Sequence, residues 1–191
     1  MSRMTPSGFH HDLAPEQLQA LRQGSPSALA SAYDRFSRPV YGLALRTLGN
    51  PQDAADVVQN VFIKLPRAAG HFRGEAPFGL WLRRLAANAT IDFLRERSRL
   101  VPLSDAHDEL SLDSMPTETL EANELLGRLS PTARLVLLLH AVEGYTHAEM
   151  AALFNQSESY SKSILSRALK RLRGRLLTTA PDTDDHSAKA D

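Results

Sequence analysis

The stretch HAEMAALFNQSESYSKSILSRALKRLRGRL, residues 147–176, reads as two short helices joined by a tight polar turn. Thr146 and Glu149 form a T-x-x-E capping box for the first helix. Asn155-Gln156-Ser157 supplies the turn, and the second helix starts near Ser157. That helix carries six basic residues and no acid after Glu158. At about 100° per residue, Leu165, Ala168, Leu169, Leu172 and Leu176 fall within about 80° of Ser161. They make an apolar stripe. Ser159, Ser163, Ser166 and Lys170 lie opposite, flanked by Lys162, Arg167 and Arg173. Short side chains let a helix backbone approach the DNA major groove, where Ser, Lys and Arg bond base edges and phosphates. The pair therefore predicts a helix-turn-helix, although many plain helical hairpins share the spacing. The stripe lacks a Trp or Phe anchor, which argues against a membrane-surface helix. Ser161 on the stripe can bond the carbonyl one turn back.

Working outward, the other start and stop signals are also helical. Ser25-Pro26, Asn50-Pro51 and Ser130-Pro131 each pair a capping side chain with a proline whose missing N–H costs nothing at that point. Asp53 suits the positive end of the second of these helices. Pro39 is expected to break or kink the first helix. Gly49, Pro66 with Gly70, and Gly144 read as stops, and Pro77 opens a long helix to about Arg97. No stretch alternates convincingly with period two, so the fold class is all-α: two small helical domains joined by a flexible acidic linker. The expected division is an N-terminal arm 1–24 (loose over 1–12), a first domain 25–98, a linker 99–117, a second domain 118–177 and a disordered tail 178–191.

The net charge is zero, but the charges are sorted along the 191-residue chain. Asp105 to Glu124 holds seven acids and no Lys or Arg, while Trp81 to Leu100 holds five arginines against two acids. Two basic segments flanking an acidic connector suggest a polyanion partner, though a solvated helix face would look the same. The chain has no cysteine, which excludes disulfides and fits a reducing compartment. The longest apolar run, LVLLL at 135–139, is too short to span a bilayer, and no basic-then-apolar signal opens the chain. A cytoplasmic location is the expectation.

The segment PFGLWLRRLAANATIDFLRERSR, residues 77–99, gives a second two-faced helix. Phe78, Leu82, Leu85, Ala86, Ala89 and Phe93 share one face. Trp81, Arg84, Asn88, Asp92 and Arg95 share a neighbouring stripe. Asn reads base edges, Trp stacks on unpaired bases, and Arg holds phosphate. The preceding glycine-rich loop could fold over an extruded base. A surface of Arg–Asp pairs with Trp81 in the core fits the helix alone equally well.

Together these segments resemble the bacterial sigma-70-like factors of the short extracytoplasmic-function (ECF) class. DAADVVQNVFIKL (53–65) is similar to the region 2 helix that docks on the polymerase β′ clamp helices. WLRRLAANATIDFLR (81–95) keeps the W-L-x-x-x-A-x-N-x-x-x-D-x-x-R spacing of the −10 element reader. LSPTARLVLLLHAVEGYTHAEMAALFNQSESYSKSILSRALKRLR (129–173) resembles region 4, which reads the −35 element. The resemblance implies that the protein binds RNA polymerase core (β′ clamp helices and β flap) and promoter DNA, and melts the −10 region. It implies polymerase contacts at Asp53, Asp56, Gln59, Asn60 and Phe62. It implies −10 contacts at Trp81, Arg84, Asn88, Asp92 and Arg95, and −35 contacts at Ser159, Tyr160, Lys162, Ser163, Arg167 and Lys170. An anti-sigma factor, often membrane-bound, is the further partner the class implies. Asn60 stands where the family usually has Glu, Ser159-Tyr160 where it commonly has Gly-Thr, and Ile164 where a polar or basic residue is usual.

No catalytic constellation appears. His10-His11, His71, His107, His140 and His147 lack metal-ligand spacing, and there is no phosphate-binding glycine loop. No enzyme activity, cofactor, metal or small-molecule substrate is expected. The competing readings are a stand-alone helix-turn-helix regulator with a helical sensor or dimerisation domain, and a protein that sequesters a partner. A stand-alone regulator needs no second nucleic-acid reader.

Overall fold

The computed structural model describes residues 8–100 and 125–176. Among the described residues, a 3-10 turn at Gly8–His10 is followed by the helices α1 Pro15–Arg22, α2 Pro26–Leu48, α3 Pro51–Ala69, α4 Phe78–Leu100, α5 Pro131–Ala141, α6 His147–Phe154 and α7 Glu158–Leu176, with residues 125–127 also helical. Among the described residues there is no strand.

The caps work as the sequence suggests. Ser25, Asn50, Ser130 and Thr146 each accept a backbone N–H of the following first turn. Gly49 takes φ 75° after α2, a conformation glycine adopts without steric cost. Asn155 takes φ 51° after α6 and turns the chain into α7. The α6–turn–α7 unit is the expected helix-turn-helix.

Pro39 and Pro66 do not stop their helices; α2 runs on to Leu48 and α3 to Ala69. An interior proline costs about 3 kcal/mol. Phe36 and Val40 on either side of Pro39 are fully buried. Each such side chain contributes about 1.5–3 kcal/mol, enough to offset that cost.

Other expectations change as well. Residues 8–12 do not form a loose arm: Phe9 is 1% exposed and lies in the main apolar cluster. Leu169, placed on the buried stripe of the last helix, is exposed, whereas Leu165, Ala168 and Ser161 are buried as expected. The expected linker begins at 99, but α4 continues to Leu100. The rest of that linker and the tail lie outside the described residues.

In the first half, α2 packs along α3 and α4, and α1 covers one end. Leu43, Leu65, Phe78 and Leu82 are buried in this core. In the second half, α5 and α6 pack on α7. The halves also meet each other, with α5 on α2 and α4 against α5 and α6, so one apolar cluster runs through both. A buried arginine crosses this seam. Arg134 donates to Leu126 O, Gly127 O and, from the other half, Thr47 O.

Candidate nucleic-acid interface

On α7 the apolar side faces inward and Ser159, Lys162, Ser163, Ser166, Arg167 and Lys170 are all exposed. Ser161 turns inward, donating to Glu158 O and meeting His147 Nδ1 at 2.9 Å. Lys162 pairs with Glu158 at 2.8 Å, and that contact holds the Glu158 carboxyl below its ordinary range. Both partners are solvent-exposed, so the pair yields readily to a phosphate. Tyr160 is only half exposed because its ring packs on Phe154, 5.8 Å between centroids. Ile164 is also half-buried against the core.

On α4 the expected stripe divides. Arg84, Asp92 and Arg95 are exposed, and Asn88 is half-buried. Trp81 is half-buried in an aromatic cluster, 5.3 Å from both Phe72 and Phe78. It is partly core and partly surface, which accommodates both sequence readings. Arg95 is engaged within the molecule: it donates to Phe154 O at 2.7 Å and lies 3.6 Å from Asp92. The loop before α4 is exposed at every residue from Arg73 to Pro77. Gly74 there takes φ 76°.

Beside the stripe, Arg83 leans on the second half. Its guanidinium donates to Glu143 O, lies 3.5 Å from Glu143 Oε2 and stacks over the Tyr145 ring at 4.6 Å. Burial raises the Tyr145 hydroxyl pKa against the pull of Arg83. Burial lowers the Arg46 pKa, opposed by the Glu143 charge.

The third surface is an apolar groove of about 910 Å³ between α2 and α3. Tyr33, Tyr41, Val58, Gln59, Phe62 and Ile63 are among its lining residues. Of the expected polymerase contacts, Asp56, Gln59 and Asn60 are exposed, whereas Phe62 is buried at 5% with its ring edge-on to Tyr33. Asp53 bonds Arg97 on α4 at 2.8 Å. The sequence reading missed Tyr33 and Ile63, which are 47% and 70% exposed. Their signal was a large apolar side chain off the buried face of an amphipathic helix.

Two family models match this chain, sigma-70 region 2 over residues 32–100 and sigma-70 region 4 over residues 119–172. ECF RNA polymerase sigma factor SigM of Mycobacterium tuberculosis is 30% identical over 86% of this chain and 85% of its own length. The chain belongs to the ECF class of sigma-70 family RNA polymerase sigma factors. It is accordingly a factor that directs transcription initiation by RNA polymerase. RNA polymerase sigma-H factor of Pseudomonas aeruginosa is 27% identical, covering 79% of this chain and 87% of that one. The solved structure of sigma factor RpoE in complex with the anti-sigma factor NepR, from Bartonella quintana, shares the fold. Its TM-score is 0.58 at 21% identity, over 79% of this chain and 98% of that chain. No helix among the described residues of the sigma factor is long and apolar enough to cross a membrane. Those residues also bring together no cluster of three potential metal ligands.

Proposed function

We propose a division of labour among the three surfaces of this sigma factor. The α2–α3 groove and the exposed α3 residues Asp56, Gln59 and Asn60 dock on the polymerase core. The exposed side of α4, with Trp81, Arg84, Asn88, Asp92 and Arg95, captures non-template bases of the −10 element as the duplex melts. The polar side of α7, with Ser159, Lys162, Ser163, Arg167 and Lys170, reads the −35 element. The observation that carries this reading is the two-faced character of α7. Its buried stripe fixes the helix on α5 and α6, leaving a row of Ser, Lys and Arg free for a groove. Tyr160 contributes by holding the start of the helix on Phe154 rather than by reading a base.

A resident anti-sigma factor is part of the proposal, supported by a structural neighbour solved with such a partner. The cytoplasm is the proposed site of action, since polymerase and promoter lie there. Purified chain added to core polymerase is expected to initiate from a limited promoter set. Binding of core without promoter-dependent transcripts would overturn the reading. A stand-alone regulator would instead shift a promoter fragment with no polymerase present and leave core unbound.

A further inference from the structure

The loop 70–77 that leads into α4 is exposed apart from the buried Phe72, and both its ends are tied down by the N-terminal segment. At the near end Arg22, the last residue of α1, donates from Nε to Ala69 O at 3.0 Å and from Nη2 to Phe72 O. At the far end Asp12 Oδ1 accepts the Phe78 N–H at 2.9 Å, serving as a cap for α4 from 66 residues away. The same oxygen accepts the Leu13 N–H at 2.9 Å, and Arg35 donates to Asp12 O at 2.6 Å, so the cap is itself held in place. The Gly79 N–H adds a bond to His11 O at 3.2 Å. A Cβ at Gly79 would collide with the carbonyl oxygens of Phe9 and His11. The absence of a side chain there is what lets the arm lie against the helix. Phe9 and Leu13 bury themselves on either side of these contacts.

From this juxtaposition we infer that residues 8–22 brace the loop 70–77 and the first turn of α4, with Asp12 and Arg22 as positioning residues for base capture. The inference rests on the proposed role of α4 in reading the −10 element. Nothing in the arm needs to touch DNA. Its bonds fix where the loop leaves α3 and where α4 starts, and thereby where Trp81 sits on Phe72 and Phe78. Base capture depends on placement, because an extruded base is held only where the side chains it stacks on and bonds to are fixed in reach.

The test uses holoenzyme assembled from core polymerase and full-length chain. The probe is promoter DNA with 2-aminopurine in the non-template −10 strand. Asp12→Ala and Arg22→Ala are expected to slow opening about tenfold while closed-complex affinity stays within about twofold. Asp12→Asn, which keeps the acceptor oxygen, should restore opening. Gly79→Ala is the sharper variant: alanine is the better helix former, so α4 is not weakened, yet the arm is displaced. It should open as slowly as Asp12→Ala. All variants are compared at a temperature where each is fully folded by circular dichroism. Wild-type opening by Asp12→Ala, Arg22→Ala and Gly79→Ala, alongside slow opening by Asn88→Ala, would overturn the brace alone. Wild-type opening by Asn88→Ala would overturn the reading of α4 on which it rests. Failure of Asp12→Asn to restore opening would remove Asp12 from the assignment.

Discussion

Glu143 approaches Arg83 from the opposite half of the molecule, with 3.5 Å between Oε2 and Nη1 and the Glu143 side chain wholly buried. Arg46 of α2 also feels its charge. Glu143→Ala would leave two guanidiniums facing each other's surroundings without a carboxylate. Removing one partner of a buried pair costs about 3–5 kcal/mol. Parting of the halves would cap that cost by letting both arginines reach water. The expectation is therefore a smaller loss in denaturant unfolding, together with a wider separation of the halves. The chain has no cysteine, so fluorophores at Ala55→Cys and Ala152→Cys report that separation. An unchanged transfer efficiency would show that Glu143 does not hold the seam.

Asn88→Ala should reduce opening of the −10 duplex more than it reduces closed-complex binding. Permanganate reactivity of −10 thymines measures the first and band-shift titration the second. Equal loss of both would place Asn88 on the duplex rather than on melted bases.

Arg167 is exposed on α7, its Nε bonded only weakly to Ser163 O at 3.3 Å. Arg167→Ala should weaken −35 binding and flatten its dependence on salt. Each phosphate that is no longer neutralised lowers the log–log slope by about 0.9. Weaker binding with the slope intact would move Arg167 from the backbone to a base edge.

The helix-turn-helix carries its own acid sensitivity. Thr146 bonds hold the Glu149 carboxyl below its ordinary value of 4.5. A carboxylate with a depressed folded pKa contributes stability that is complete above its unfolded value. That contribution disappears as pH falls below 4.5 through the lowered folded pKa. Thr146→Ala should cost about 1 kcal/mol at neutral pH, with Glu149→Gln smaller. In both variants the fall in stability between about pH 5 and 3 should be shallower than in the wild type, as read by urea unfolding at each pH.

Ile63 stands 70% exposed in a chain whose other β-branched apolar residues on α3 are buried. Ile63→Glu should leave stability unchanged and lower affinity for core polymerase about tenfold, about 1.4 kcal/mol. Fluorescence anisotropy of labelled chain titrated with core measures it. Unaltered affinity would take the groove out of the docking surface.

Much of this was legible because capping is local. Ser25, Asn50, Ser130 and Thr146 act on backbone groups within three residues, and nothing distant interferes. The polar face of α7 was legible for the same reason, since its period is set by the helix itself. Pro39 was misread because a local rule met a distant force, the burial of Phe36 and Val40. Phe9 was misread because a lone aromatic among polar neighbours shows no period, and its partners lie on α2 and α4. The seam was invisible for a related reason. Arg134, Arg83 and Glu143 look like surface charges until the halves meet. Leu169 failed more simply: it sits at the rim of the stripe, where a few tens of degrees decide exposure.

At that seam Arg46 Nε, Arg83 Nε and Glu143 Oε1 are buried with no hydrogen-bond partner. Separation of the halves would open each of these atoms to hydrogen bonding with solvent. Hydration of those atoms would oppose both the apolar contact and the bonds that cross the seam, Arg83 to Glu143 O, Arg95 to Phe154 O and Arg134 to Thr47 O. A balance of that kind turns on modest differential affinity, and a promoter or a protein that prefers one arrangement supplies it. On that balance the seam is expected to act as a latch that a tighter-binding partner releases.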